Sequence, residues 1–136
     1  LKKKRTASIK SLRGKLDKLF NTYIKEKDKK CILTGDAVGL QCSHYYEKKG
    51  NPYLRWDERN AHAMANHKGN AVHFKHHHGK EPEYALWMFE HHSLEFMRNL
   101  SKDANTKIEY TRDDIIRLTH KYELKLAKLR SKSVKK

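Results

Sequence analysis

Apolar residues fall at helical spacing near both ends of the chain and at tighter, mixed spacing in its middle. From Ser11 onward Leu12, Leu16, Leu19, Phe20, Tyr23 and Ile24 share one helical face, which predicts an amphipathic helix from about Ser11 to Lys27 with Ser8 or Ser11 as N-cap. Its other face carries Lys10, Arg13, Lys18, Lys25 and Lys27. A second helical stripe runs through Ile115, Leu118, Tyr122, Leu126 and Leu129. Thr111 opens it, and Asp113 and Asp114 place acids in the first turn against the helix dipole.

Between them the period changes. Cys31, Ile32 and Leu33 predict a short strand or knuckle that turns at Gly35, and Val38, Leu40, Cys42 and His44 alternate as a strand does. Gly50-Asn51-Pro52 marks a loop, after which Tyr53, Leu54 and Trp56 predict a second strand that would pair with the first. Asp57 to Asn60 reads as a turn into a helix-like segment, and Asn70 to His78 as a short helix that Gly79 can end. Pro82 suits an early helical position before the apolar run Tyr84 to His91, and Ser93 can cap a helix bearing Leu94, Met97 and Leu100. These form one kinked helix or two. Ser101 to Glu109 reads as a polar connection, and residues 1–10 and 131–136 as flexible basic tails.

The 136 residues suit a single domain over 1–136, and a hydrophobic content of 37% still permits a modest core. Charge alters the picture more. Lys and Arg number 31 against 16 Asp and Glu, a formal +15 that points to a polyanionic partner through release of counterions from phosphates. Two cysteines, Cys31 and Cys42, are too few for a disulfide framework, and no hydrophobic leader or membrane-length apolar run follows the Lys-rich start. An intracellular protein without a membrane partner is the expectation.

Candidate chemistry concentrates between Gln41 and His78, within a core spanning 31–78. Phosphodiester hydrolysis needs a base to activate water and a cation to stabilise charge on the phosphate and leaving oxygen. His44 on a strand fits the base, and Asn60 fits a residue that tethers the loop and orients the imidazole, with a capping or turn role of equal weight. Asn66 or His67 fits a metal ligand, and His73 is a reserve ligand that shares a helical face with His77. The remaining His-rich run reads as a phosphate-facing patch, and His91 and His92 as packing. Candidate DNA contacts are Lys48, Lys49, Arg55 and Arg59 on the first side of the core and Lys68, Lys75, His76 and His77 on the second. The cysteines read as buried thiols, since neither has a partner at zinc-knuckle spacing. Walker-type loops and a serine nucleophile motif are absent.

SIKSLRGKLDKLFNTYI, CILTG, LQCSHYYEKKGNPYLRWDERNAHA and the Gly-Asn of HKGN together resemble the phage-lambda-type NinG (Rap) recombination endonuclease family, over roughly Ser8 to Leu129. That resemblance implies similarity to HNH, or His-Me finger, nucleases and activity on branched recombination DNA. It assigns His44 as general base, places Asn60 and His62 in the catalytic segment, and aligns Asn66, Gly69 and Asn70 with the residues after a second cysteine pair. The family's cysteine pairs are replaced here, the first by Cys31 and Thr34 and the second by Ala63 and Ala65, which argues against structural zinc. Ser43 stands where related nucleases place an acidic residue or glycine, so His67 or His73 would compensate.

The expectation is therefore an α+β protein with a small ββα-metal (His-Me finger) core flanked by basic amphipathic helices. It would cleave Holliday junctions or D-loops with Mg²⁺ or Mn²⁺, as a homodimer if junction symmetry is matched by two active sites. Two rivals are a branched-DNA-binding protein without catalysis, which needs no metal, and a general nucleic-acid packaging module with no preference for branches.

Overall fold

The computed structural model describes residues 6–77 and 82–134; the expected arm at 1–5, and His78 and Gly79, lie outside them. The chain divides into two compact units. One combines residues up to Tyr23 with those from Tyr110 onward, and the other spans 24–109.

The first unit follows the helical periodicity of its sequence. Helix α1 covers Ile9–Asp28, with its last turn in the second unit, and Ser8 Oγ accepts from Ser11 N at 3.1 Å as an N-cap. The C-terminal helix of this unit (Arg112–Val134) opens with a reciprocal cap, in which Asp114 N donates to Thr111 Oγ1 (3.1 Å) and Thr111 N to Asp114 Oδ2 (2.9 Å). Leu16, Phe20, Tyr23, Ile115, Tyr122 and Leu126 are buried. Phe20 meets Tyr122 edge to face, with ring centroids 5.0 Å apart. Helix reaches back to Ile9 and on to Val134, into the segments expected as tails.

The second unit is built on a two-stranded antiparallel hairpin, β1 (Leu40–His44) and β2 (Ala61–Ala65), paired from Leu40 with Ala65 to His44 with Ala61. This corrects the expected second strand. Tyr53 to Trp56 instead begins with a 3-10 turn (Pro52–Leu54), where proline sits at the first helical position and Leu54 and Trp56 turn into the core. Ala61–Ala65 carries no β-branched residue, and every one of its residues is buried. Burial on both faces, rather than propensity, makes it a strand. Its free edge is covered as well: Ala63 N donates to Asp28 Oδ2 (2.8 Å) and Ile32 N donates to Ala63 O (3.1 Å). Burial raises the Asp28 carboxyl above its ordinary pKa, against the lowering effect of that Ala63 N–H and of Lys27.

Of the strand or knuckle expected at Cys31–Leu33, the structure forms the second, a turn closed by Gly35 N on Cys31 O (2.8 Å). Helix α2 (Val72–His77) packs on both strands. Helices α3 (Pro82–His91) and α4 (Leu94–Ala104) are separate, and Ser93 Oγ caps α4 by accepting from Phe96 N (3.0 Å). The helix at Arg112–Val134 is therefore α5, and α4 takes in the first part of the stretch read as a polar connection. Cys31, Leu54, Met64, Tyr84, Met88, Met97 and Leu100 form the core between hairpin and helices. No helix among the described residues is long and apolar enough to cross a membrane.

Candidate active site

His44 closes β1 with only 5% of its surface exposed. Its Nε2 lies 2.9 Å from Arg55 O. A carbonyl oxygen can only accept, so Nε2 carries the proton and Nδ1 carries the lone pair. The bond thus fixes which ring nitrogen is the donor in the neutral imidazole.

Asn60 holds the two segments that define this ring. It is fully buried, immediately before β2. Its Oδ1 accepts from Tyr46 N (2.8 Å), its Nδ2 donates to Tyr46 O (2.9 Å) and Leu54 O (3.3 Å), and its own carbonyl accepts from Tyr45 N (2.8 Å). One amide side chain therefore ties the residues after His44 to the segment whose carbonyl takes the His44 proton. Asn60 also ends the 3-10 turn Glu58–Asn60, so the turn role and the tethering role coexist in one residue.

On the neighbouring strand position, Ser43 is fully buried and its Oγ lies 2.5 Å from His73 Nδ1. α2 thus brings His73 to the residue that precedes His44. The other histidines go elsewhere. His62 is buried beneath α3, 2.7 Å from Tyr84 Oη and in ring contact with Trp87 and His92. Burial chiefly, then the positive charge of Lys27, lowers its pKa to about 3, so it is neutral at ordinary pH. Tyr84 Oη also donates to Ser43 O (3.3 Å), which links His62 to the Ser43 backbone.

His67 lies in a polar clasp with Asp36. Its Nε2 is 2.6 Å from Asp36 Oδ2, while Asn70 Nδ2 donates to Thr34 Oγ1 (3.0 Å) and to Asp36 Oδ2 (3.2 Å). His67 and Asn70 exchange backbone bonds across a small bridge. Gly39, at φ 60°, permits this approach, since a Cβ there would lie 3.1 Å from the His67 Cβ. The Val38 N–H first, then His67 and Asn70, lower the Asp36 carboxyl to about 2.

The family model described as the bacteriophage lambda NinG protein matches residues 1–132. The chain belongs to the NinG family. No curated protein and no solved structure matches it. In this NinG-family chain Asn70 is brought to Thr34 and His67 to Asp36, while Cys31 meets the Ala65 backbone. Ala63 and Ala65 lie within β2. Cys31 and Cys42 are free thiols, with Cys31 buried and Cys42 partly so. Burial pushes the Cys42 thiol up to about 12. Burial also acts to raise Cys31, but hydrogen bonds from Thr34 and from the Ala65, Leu33 and Thr34 backbone outweigh it and lower its pKa. Among the described residues no three His, Cys, Asp or Glu side chains gather as a metal site.

Of the expected ligands, only His73 is carried to the β1 end. Asn66 is engaged through its backbone, where N–H donates to Gly39 O (2.8 Å). Of the expected DNA contacts, Lys48, Lys49, Lys68 and Lys75 are exposed, and Arg55 lies over the Trp56 ring at 4.9 Å. Arg59 is committed to carboxylates, Asp57 at 2.6 Å and Asp103 at 2.8 Å. The side chains of His76 and His77 lie outside the described residues. Sequence reasoning missed Tyr84, Thr34 and Asp36. The Asp36 signal was its place beside the Gly35 turn; Tyr84, 40 positions from His44, had none.

Proposed function

We propose that this protein is a structure-specific DNA endonuclease that hydrolyses phosphodiesters in branched recombination intermediates such as Holliday junctions and D-loops. The observation that carries the reading is the His44 Nε2 bond to Arg55 O, in a loop pinned by the buried Asn60 amide. Membership of the NinG family and a formal charge of +15 support DNA as the substrate.

In this mechanism His44 Nδ1 takes a proton from the attacking water, and Arg55 O steadies the imidazolium that results. Asn60 is a positioning residue that keeps Arg55 and Tyr46 in register with β1. The exposed lysines 48, 49, 68 and 75 hold phosphates. His73 Nδ1 and Ser43 Oγ are the donors that would hold a divalent ion, which supplies positive charge at the phosphate and leaving oxygen. An imidazole and a hydroxyl without a carboxylate suit Mn²⁺ better than Mg²⁺, and substrate oxygens would complete the shell.

The test is cleavage of labelled four-way, flap and linear DNA with Mg²⁺ or Mn²⁺. His44→Ala should lower the single-turnover rate by about 10²–10⁴-fold while junction affinity stays within a fewfold. Full cleavage by His44→Ala would sink the assignment. Junction binding that is indifferent to chelator, with no product under any divalent ion, would establish instead a branched-DNA-binding protein without catalysis.

A further inference from the structure

A cavity of about 330 Å³ opens beside α2, on the second unit. Its walls are of two kinds. Leu33 and Val72 bring apolar side chains to its lining above the buried Tyr84, while Thr34, Asn70, Lys75 and Glu83 bring polar groups of both kinds. Asn70 is pre-set by the clasp: the Asp36 carboxylate only accepts, so the amide nitrogen must face it, and the carbonyl oxygen is the acceptor end of that side chain. Lys75 adds a donor and Glu83 an acceptor.

We infer that this cavity receives one unstacked nucleobase of a DNA strand. The inference rests on the nucleic-acid reading above. A lining that combines apolar side chains with both donors and acceptors suits the apolar faces and hydrogen-bonding edge of a base. A lone phosphate would leave the apolar side chains and the Glu83 acceptor without a match. The volume is at the small end for a ligand site, which suits one base rather than a stacked pair. Bases in continuous duplex are stacked and paired, whereas a branch point frees some of them at low cost, so such a pocket discriminates branched from linear DNA. It also shares two parts with the candidate centre. α2 carries Val72 and Lys75 as well as His73, and Tyr84 donates to the Ser43 carbonyl. A base seated here would therefore fix where the strand runs relative to Ser43 and His73.

The test is an affinity cycle with the full chain, at fixed salt and without divalent ion, on a four-way junction in which each branch-flanking nucleotide is made abasic in turn. One abasic position should weaken wild-type binding about tenfold. Val72→Trp, which fills the cavity, should weaken binding to the intact junction by a similar factor, show no further loss with that abasic junction, and bind linear duplex within twofold of wild type. Wild-type binding insensitive to every abasic position, or losses from Val72→Trp and the abasic site that simply multiply, would overturn the pocket. If circular dichroism shows Val72→Trp unfolded, Glu83→Gln enters the same cycle, with a smaller coupling of the same sign expected and multiplication again overturning the idea. Junction cleavage that depends on His44 but ignores every abasic site removes the pocket alone. Failure to bind any DNA removes both the pocket and the nuclease reading.

Discussion

Two polar clusters tie loops to the same hairpin, and they differ in depth. Asn60 is fully buried and spends its amide on Tyr46 and Leu54, whereas the Asp36, His67 and Asn70 clasp is partly exposed. Each cluster brings together segments distant in sequence. The consequences of breaking them should diverge, because a buried donor or acceptor left without its partner loses its whole solvation, while water can replace a partner at the surface. The deep cluster fixes the His44 ring; the shallow one fixes the approach to α2.

The largest effect should come from Asn60→Ala. It leaves Tyr46 N and Tyr46 O without their partner, and Leu54 O with only the Asp57 N–H, at a residue that is itself fully buried, and should cost about 3–5 kcal/mol in urea unfolding. A loss under about 1 kcal/mol would mean that the loop is held by other contacts.

His62 should dominate the acid limb of stability. Its folded pKa, lowered to about 3, lies below the ordinary 6.5, so the unfolded chain takes up a proton that the folded protein refuses. Stability is therefore complete above pH 6.5 and is lost as pH falls toward 3. Between pH 6.5 and 5 this amounts to about 2 kcal/mol. His62→Gln, which keeps a partner for Tyr84, should flatten that slope in denaturant midpoints measured across the range. An unchanged slope would show that His62 does not control it.

The smallest effect should come from Asp36→Asn. The Asp36 pKa is lowered from 3.8 to about 2, so its contribution is present above pH 3.8 and disappears as pH falls through 2. The variant should lose a little stability at pH 7 and show a shallower decline below pH 4, with the slope from pH 6.5 to 5 left as in the wild type. If it melted like Asn60→Ala, the distinction between deep and shallow clusters would fail.

The helices were legible because their cause is local. Leu16, Phe20, Tyr122 and Leu126 repeat on one face, and Thr111 and Ser93 announce the starts of α5 and α4, so neighbours in sequence carry the information. The hairpin was only half legible. β1 alternates visibly, but Ala-His-Ala-Met-Ala has weak strand propensity, and only cover on both faces together with the edge bonds to Asp28 and Ile32 makes it extended. The aromatic Tyr53-Leu54 and Trp56 pattern suggested a strand, but Pro52 and the demand to bury Leu54 produced a tight turn.

The candidate site divides in the same way. The sequence by itself determined which groups can do chemistry: it pointed to His44, Asn60 and His62 for catalysis, to Asn66 or His67 as ligand with His73 in reserve, and to a basic surface for a polyanion. The tertiary structure alone decided which histidine does what. His44 meets Arg55 O across 11 positions, His73 reaches Ser43 across 30, and His67 is drawn to Asp36 across 31, while His62 is buried against Tyr84. Imidazoles of identical composition acquire different partners and exposures from the segments that folding sets beside them, and no local pattern in the chain encodes those partners.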